Sequence, residues 1–124
     1  MDCVKCKSLM ASVTYGGIMV ERCAGCKGIW FDMLEQEDLK KIKGSESIDV
    51  GDPAAGRRMN EAEPYLCQRC GGKMIRMVDP EQPHIWYESC SGCYGVFFDA
   101  GEFKDFKEKT AADFFRRLTA RERK

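Results

Sequence analysis

Two tandem α+β modules, each a β-hairpin with a short third strand followed by a helix, are predicted for this chain of 124 residues by three observations. All eight cysteines fall in C-x2-C pairs: Cys3/Cys6, Cys23/Cys26, Cys67/Cys70 and Cys90/Cys93. Residues 23–40 laid on residues 90–107 give nine identities in eighteen positions at a constant offset of 67. Turn residues flanked by β-prone runs recur at matching places in both copies.

The front halves of the copies align at an offset of 64, so a three-residue insertion separates them. It lies in the hairpin turn. The first copy has Gly16-Gly17 between Val13-Thr14-Tyr15 and Ile18-Met19-Val20, which suits a two-residue turn. The second has Asp79-Pro80-Glu81-Gln82-Pro83 between Met74–Val78 and Ile85-Trp86-Tyr87, a longer loop. Third strands follow as Ile29-Trp30-Phe31 and Val96-Phe97-Phe98. Each meets an Asp-x-x-Glu, Asp32 to Glu35 and Asp99 to Glu102, the spacing of a helix N-cap with its reciprocal glutamate.

The first helix is expected from Met33 to Lys43, ending at Gly44 with lysines in its last turn. Residues 44–64 are polar, with two prolines, and read as a flexible linker between a first module (1–43) and a second (65–124). Such a linker permits the modules to pack or to tumble independently. After Glu102, Phe103, Phe106, Thr110, Phe114 and Leu118 recur at helical spacing without Gly or Pro, so one long helix to Lys124 is expected. Its end, residues 107–124, is the basic part of the chain, with seven Lys/Arg against three Asp/Glu.

The composition, 44% hydrophobic and 32% charged, is globular. No run approaches the roughly 18 apolar residues of a membrane span, and the opening residues lack an apolar signal region, so a soluble, cytoplasmic protein is expected. Thiols stay reduced in that compartment, so paired cysteines read as metal ligands. A ribbon of about 40 residues buries too little apolar surface to hold itself together. Four thiolates on one zinc ion supply what is missing, on the order of 10 to 16 kcal/mol in small fingers. The predicted ligands are Cys3, Cys6, Cys23 and Cys26 for one zinc, and Cys67, Cys70, Cys90 and Cys93 for a second. Rubredoxin-type iron fits the same tetrahedron. A thioredoxin-like pair needs a βαβ setting that is missing here. Catalytic zinc needs an open position, and four cysteines close the site. The sole histidine, His84, sits in the second hairpin and reads as a surface residue.

The stretches Cys23-Ala-Gly-Cys26-Lys-Gly-Ile-Trp-Phe-Asp32-x-x-Glu35 and Cys90-Ser-Gly-Cys93-Tyr-Gly-Val-Phe-Phe-Asp99-Ala-Gly-Glu102, each preceded by C-x2-C, resemble the TFIIB-type zinc-finger family. The resemblance covers residues 1 to about 43 and 67 to about 107. It implies two rubredoxin-like zinc ribbons whose ligands are the eight cysteines. The chain departs from the family pattern at Val4, Ala24, Gln68 and Ser91, where the knuckles usually carry Pro, and at Leu34, where Gly is usual and Gly101 supplies it.

Trp30, Phe31, Phe97 and Phe98 fit either a stacking platform or the core, and core is expected for three of them. Lys5, Lys7, Arg22 and Lys27 near the first site, and Arg69 and Lys73 near the second, offset the charge of the thiolates. Eight thiolates on two zinc ions take the formal charge from zero to minus four, which disfavours generic, charge-driven nucleic-acid binding. The expected function is a non-enzymatic adaptor that binds protein through the ribbon faces or the C-terminal helix, with a homodimer through that helix as one form. A nucleic-acid or transcription-associated binder, and a thiol redox switch or zinc donor, are the alternatives.

Overall fold

The computed structural model describes residues 2–59, 66, 67, 69–78 and 86–107, with Arg57 and Trp86 described in their backbone only. Six strands form one antiparallel sheet: β1 (Met10–Tyr15), β2 (Ile18–Cys23), β3 (Ile29–Phe31), β4 (Met74–Val78), β5 (Trp86–Cys90) and β6 (Val96–Phe98). Their spatial order is β1-β2-β3-β6-β5-β4, so the two ribbons share a single sheet. The first hairpin closes through Gly16 and Gly17 at φ of 58° and 82°, the double left-handed turn that matches strand twist. Its register pairs Tyr15 with Ile18 and Met10 with Cys23.

The seam between the modules is β3 against β6, with Ile29 opposite Phe98, Trp30 opposite Phe97 and Phe31 opposite Val96. Because the copies are offset by 67, this pairing sets each strand against its own counterpart about a local two-fold through Trp30 and Phe97. Alternation along a strand then divides the core into two layers. Ile29, Phe31, Val96 and Phe98 face one side and pack with Leu39, Ile48, Phe103 and Phe106. Trp30 and Phe97 face the other side, among the cysteines, Val4, Met10 and Met74. Phe31 meets Phe98 edge-on with centroids 5.6 Å apart, and Phe103 lies 5.0 Å from Phe31.

The first helix is shorter than expected: α1 spans Glu35–Lys40. Leu34 at φ 68° holds its start in the left-handed region, so Met33 and Leu34 lie outside it. Residues 44–64, expected to be a flexible linker, carry a 3-10 helix at Ser45–Ile48 and α2 at Pro53–Met59. Polar bonds and a core contact fix its described part, residues 44–59, which is why composition hid it. Ser45 donates to the Leu39 carbonyl, Ile48 enters the core, and a Cβ on Gly56 would stand 1.8 Å from the Ala100 oxygen.

The C-terminal helix, expected to be long, is short where described: α3 covers residues 102–107. Its expected continuation to Lys124 lies outside the described residues, as do His84 and the loop at residues 79–83. The start of α3 is capped from the segment between the modules. Both Asp49 carboxylate oxygens accept N–H bonds there, from Gly101 at 2.9 Å and Lys104 at 3.0 Å. Among the described residues, no helix is long and apolar enough to cross a membrane.

Candidate metal centres

Each sulfur quartet is assembled by two knuckles from opposite ends of a ribbon. Cys3 and Cys6 lie just before β1, and Cys23 ends β2 with Cys26 in the following turn; Cys67, Cys70, Cys90 and Cys93 repeat this in the second copy. The residue after the second cysteine of every knuckle is left-handed: Lys7, Lys27 and Tyr94 at φ 63–65°, and Gly71 at φ 75°. That turn brings backbone N–H groups onto sulfur. Cys23 accepts from Gly25 at 3.3 Å and Cys26 at 3.4 Å, and Cys90 from Gly92 at 3.3 Å and Cys93 at 3.5 Å.

Within each quartet all four sulfurs lie within 4.8 Å of one another. The cross-knuckle pairs are Cys3–Cys26 at 3.7 Å and Cys6–Cys23 at 3.3 Å, then Cys67–Cys93 at 3.8 Å and Cys70–Cys90 at 3.4 Å. A zinc ion with bonds of about 2.3 Å needs tetrahedron edges of about 3.8 Å, so the residues fit the ion. The eight cysteines are all free thiols.

The charge state of the quartets also calls for a cation. Without one, four thiolates this close cannot all ionise. The bond from the Cys26 thiol holds Cys3 down to about 5, and the same bond holds the Cys26 proton in place well above the usual thiol range. Burial pushes Cys67 up to about 12. Cys90 settles at about 7, where burial is outweighed by the N–H groups of Cys93 and Gly92. A dication replaces these shared protons. When bound, zinc supplies structural cross-linking, and four sulfurs leave it no open position for a substrate.

Two of the basic residues flanking the sites, Lys5 and Arg69, serve the seam. Lys5 is buried and reaches out of the first knuckle to Glu88 Oε1 and Asp99 Oδ2, each at 2.6 Å, and to the Met59 carbonyl at 2.9 Å. Its counterpart at the offset of 64, Arg69, reaches back to Asp32 at 2.9 Å and, more loosely, to Glu21 at 3.9 Å. Glu21 and Asp32 are in turn the counterparts of Glu88 and Asp99, so the two-fold relates the whole ion-pair set. One copy is deeper. Burial raises Glu88 to about 7, ahead of the pull of Lys5, and raises Asp99 as well.

In the first Asp-x-x-Glu motif only the reciprocal arm of the N-cap reading holds. Glu35 accepts from the Asp32 N–H at 2.9 Å, but the Asp32 carboxylate takes Trp30 Nε1–H and Arg69 instead of capping α1. Asp99 likewise serves Lys5, and Asp49 takes over the cap of α3. Trp30, Phe31, Phe97 and Phe98 are all buried, the fourth as well as the expected three, so none offers a stacking surface. Arg22 donates to the Ile48 carbonyl at 3.0 Å. Asp49 is the residue that sequence reasoning missed: one acid among several in a polar stretch, with no repeat counterpart to mark it.

A shared sheet carrying two four-cysteine knuckle sites defines a tandem zinc ribbon. Residues 2–42, roughly one third of the chain, match the family model described as transcription factor zinc-finger. The second quartet, Cys67 to Cys93, fits a further copy of the same module, although the family match covers the first alone. Searches of curated proteins and of solved structures give no significant match.

Proposed function

We propose that this chain is a non-enzymatic, zinc-stabilised binding module whose partner is another protein. The observation that carries the reading is the outer strand β4. From Ile75 to Val78 it is exposed residue by residue, including Ile75 at 45%, Met77 at 41% and Val78 at 42%. An apolar strand at a sheet edge is a docking line for another polypeptide, which adds main-chain bonds along it and side chains beside it. The closed sulfur sites support a scaffold role, since they offer zinc no place for a substrate. The negative balance of the zinc-loaded chain supports a protein partner over a phosphate backbone.

The test is Ile75→Asp/Met77→Asp. The variant keeps two zinc ions, and the proteins cross-linked to the intact chain in extracts of its source cells are lost from it. Equal capture by both forms would overturn the reading.

The description of the matching family favours nucleic acid as a second reading. Retardation of DNA or RNA that weakens steeply as salt rises would establish that reading in place of the first.

A further inference from the structure

Corresponding cysteines of the two metal sites are 64 or 67 residues apart in sequence, yet the seam ties each site to the other module. Gly28, two residues beyond Cys26, lies against the Phe97 ring; a Cβ there would stand 2.2 Å from the ring. Gly95, two residues beyond Cys93, lies against Trp30 in the same way, again at 2.2 Å. Each metal knuckle is thus the seat for the other module's central aromatic. The ion pairs repeat the exchange, with Lys5 leaving the first knuckle for β5 and the end of β6, and Arg69 leaving the second for β2 and the end of β3.

We propose that the two sites load zinc cooperatively, the seam being the coupling element. The proposal rests on the reading of both quartets as zinc sites. A ribbon of this size acquires its shape with the metal. Once one quartet is loaded, its knuckle, third strand and basic residue stand ready, and the second module folds against a finished surface instead of alone. Buried Trp30 and Phe97 exist as a packed pair only when both modules are formed. Site-to-site help of this kind is reciprocal: whichever ion enters first, the other gains by the same factor.

The full-length chain, stripped of metal under reducing conditions, is titrated with zinc against a competing chelator and followed by native mass spectrometry. At half saturation the one-zinc species is expected to stay below about a quarter of the chain, which corresponds to a second ion held at least about tenfold tighter. Independent sites give about half, and that result, or more, overturns the proposal while leaving a two-zinc endpoint and the zinc assignment intact. An endpoint short of two ions would instead sink the assignment itself.

Two variants locate the coupling. Gly28→Ala/Gly95→Ala wedges the seam apart and leaves every sulfur in place; its one-zinc fraction should rise to about half. Cys90→Ser/Cys93→Ser removes the second site, and cobalt should then bind the first, read by its thiolate charge-transfer absorption, at least about tenfold more weakly than in the intact chain. An unchanged distribution in the former or an unchanged affinity in the latter would overturn the role of the seam.

Discussion

Leu34 and Gly101 occupy equivalent positions, and both adopt left-handed backbone, at φ 68° and 86°. Only one of them is glycine. A branched side chain in that region costs about 1–2 kcal/mol, against the 0.5–1 kcal/mol that glycine costs in the unfolded chain. Leu34 is 58% exposed and contributes little packing in return. Leu34→Gly should therefore stabilise the zinc-loaded protein by about 0.5–1 kcal/mol in urea unfolding. Gly101→Ala should destabilise it by more than that, because a Cβ there also stands 3.0 Å from Pro53. The sequence comparison with the family marks the position, and the backbone angle supplies the reason.

The segment between Gly44 and Met59 shows where sequence reading reaches its limit. Strands were legible, because period-two alternation and the Gly-Gly turn act locally. The third strands were legible too, since both copies carry them. This segment has neither repeat nor stripe; it is held by single polar bonds whose partners lie some 50 residues away, such as Asp49 with Gly101 and Lys104. Asp49 is 2% exposed. Asp49→Ala removes the acceptor of two N–H groups at the start of α3 and, with it, the bonds that hold the Gly44–Met59 segment there. A loss of about 2 kcal/mol is expected in urea unfolding at neutral pH. Asp49→Asn, which keeps one acceptor oxygen, should lose about half of that.

At the scale of the molecule, the repeat was visible in the offset of 67, whereas the pairing of β3 with β6 was not. An antiparallel contact between like strands leaves no mark in either strand's own alternation, because Trp30 and Phe97 read equally well as core of a single ribbon. The Lys5 and Arg69 exchanges were hidden for the same reason: a basic residue next to four sulfurs is explained locally before any distant acid is considered. The grouping of the cysteines into two quartets, in contrast, was legible from C-x2-C spacing. Because these sites complete both ribbons, removing the metal with a chelator under reducing conditions should abolish the cooperative thermal transition seen by circular dichroism. Re-addition of two equivalents of zinc should restore it. A chain that keeps its near-ultraviolet signal after stripping would show that the sheet stands without its ions.

The local two-fold has a bearing on dilution. Were the copies separate chains, their union would weaken as the protein became scarce. Carrying both copies on one chain instead makes the meeting of one half with the other intramolecular, independent of how much protein is present. The seam is then as full in a sparse cell as in a crowded tube, and the ratio of the two halves is locked at unity.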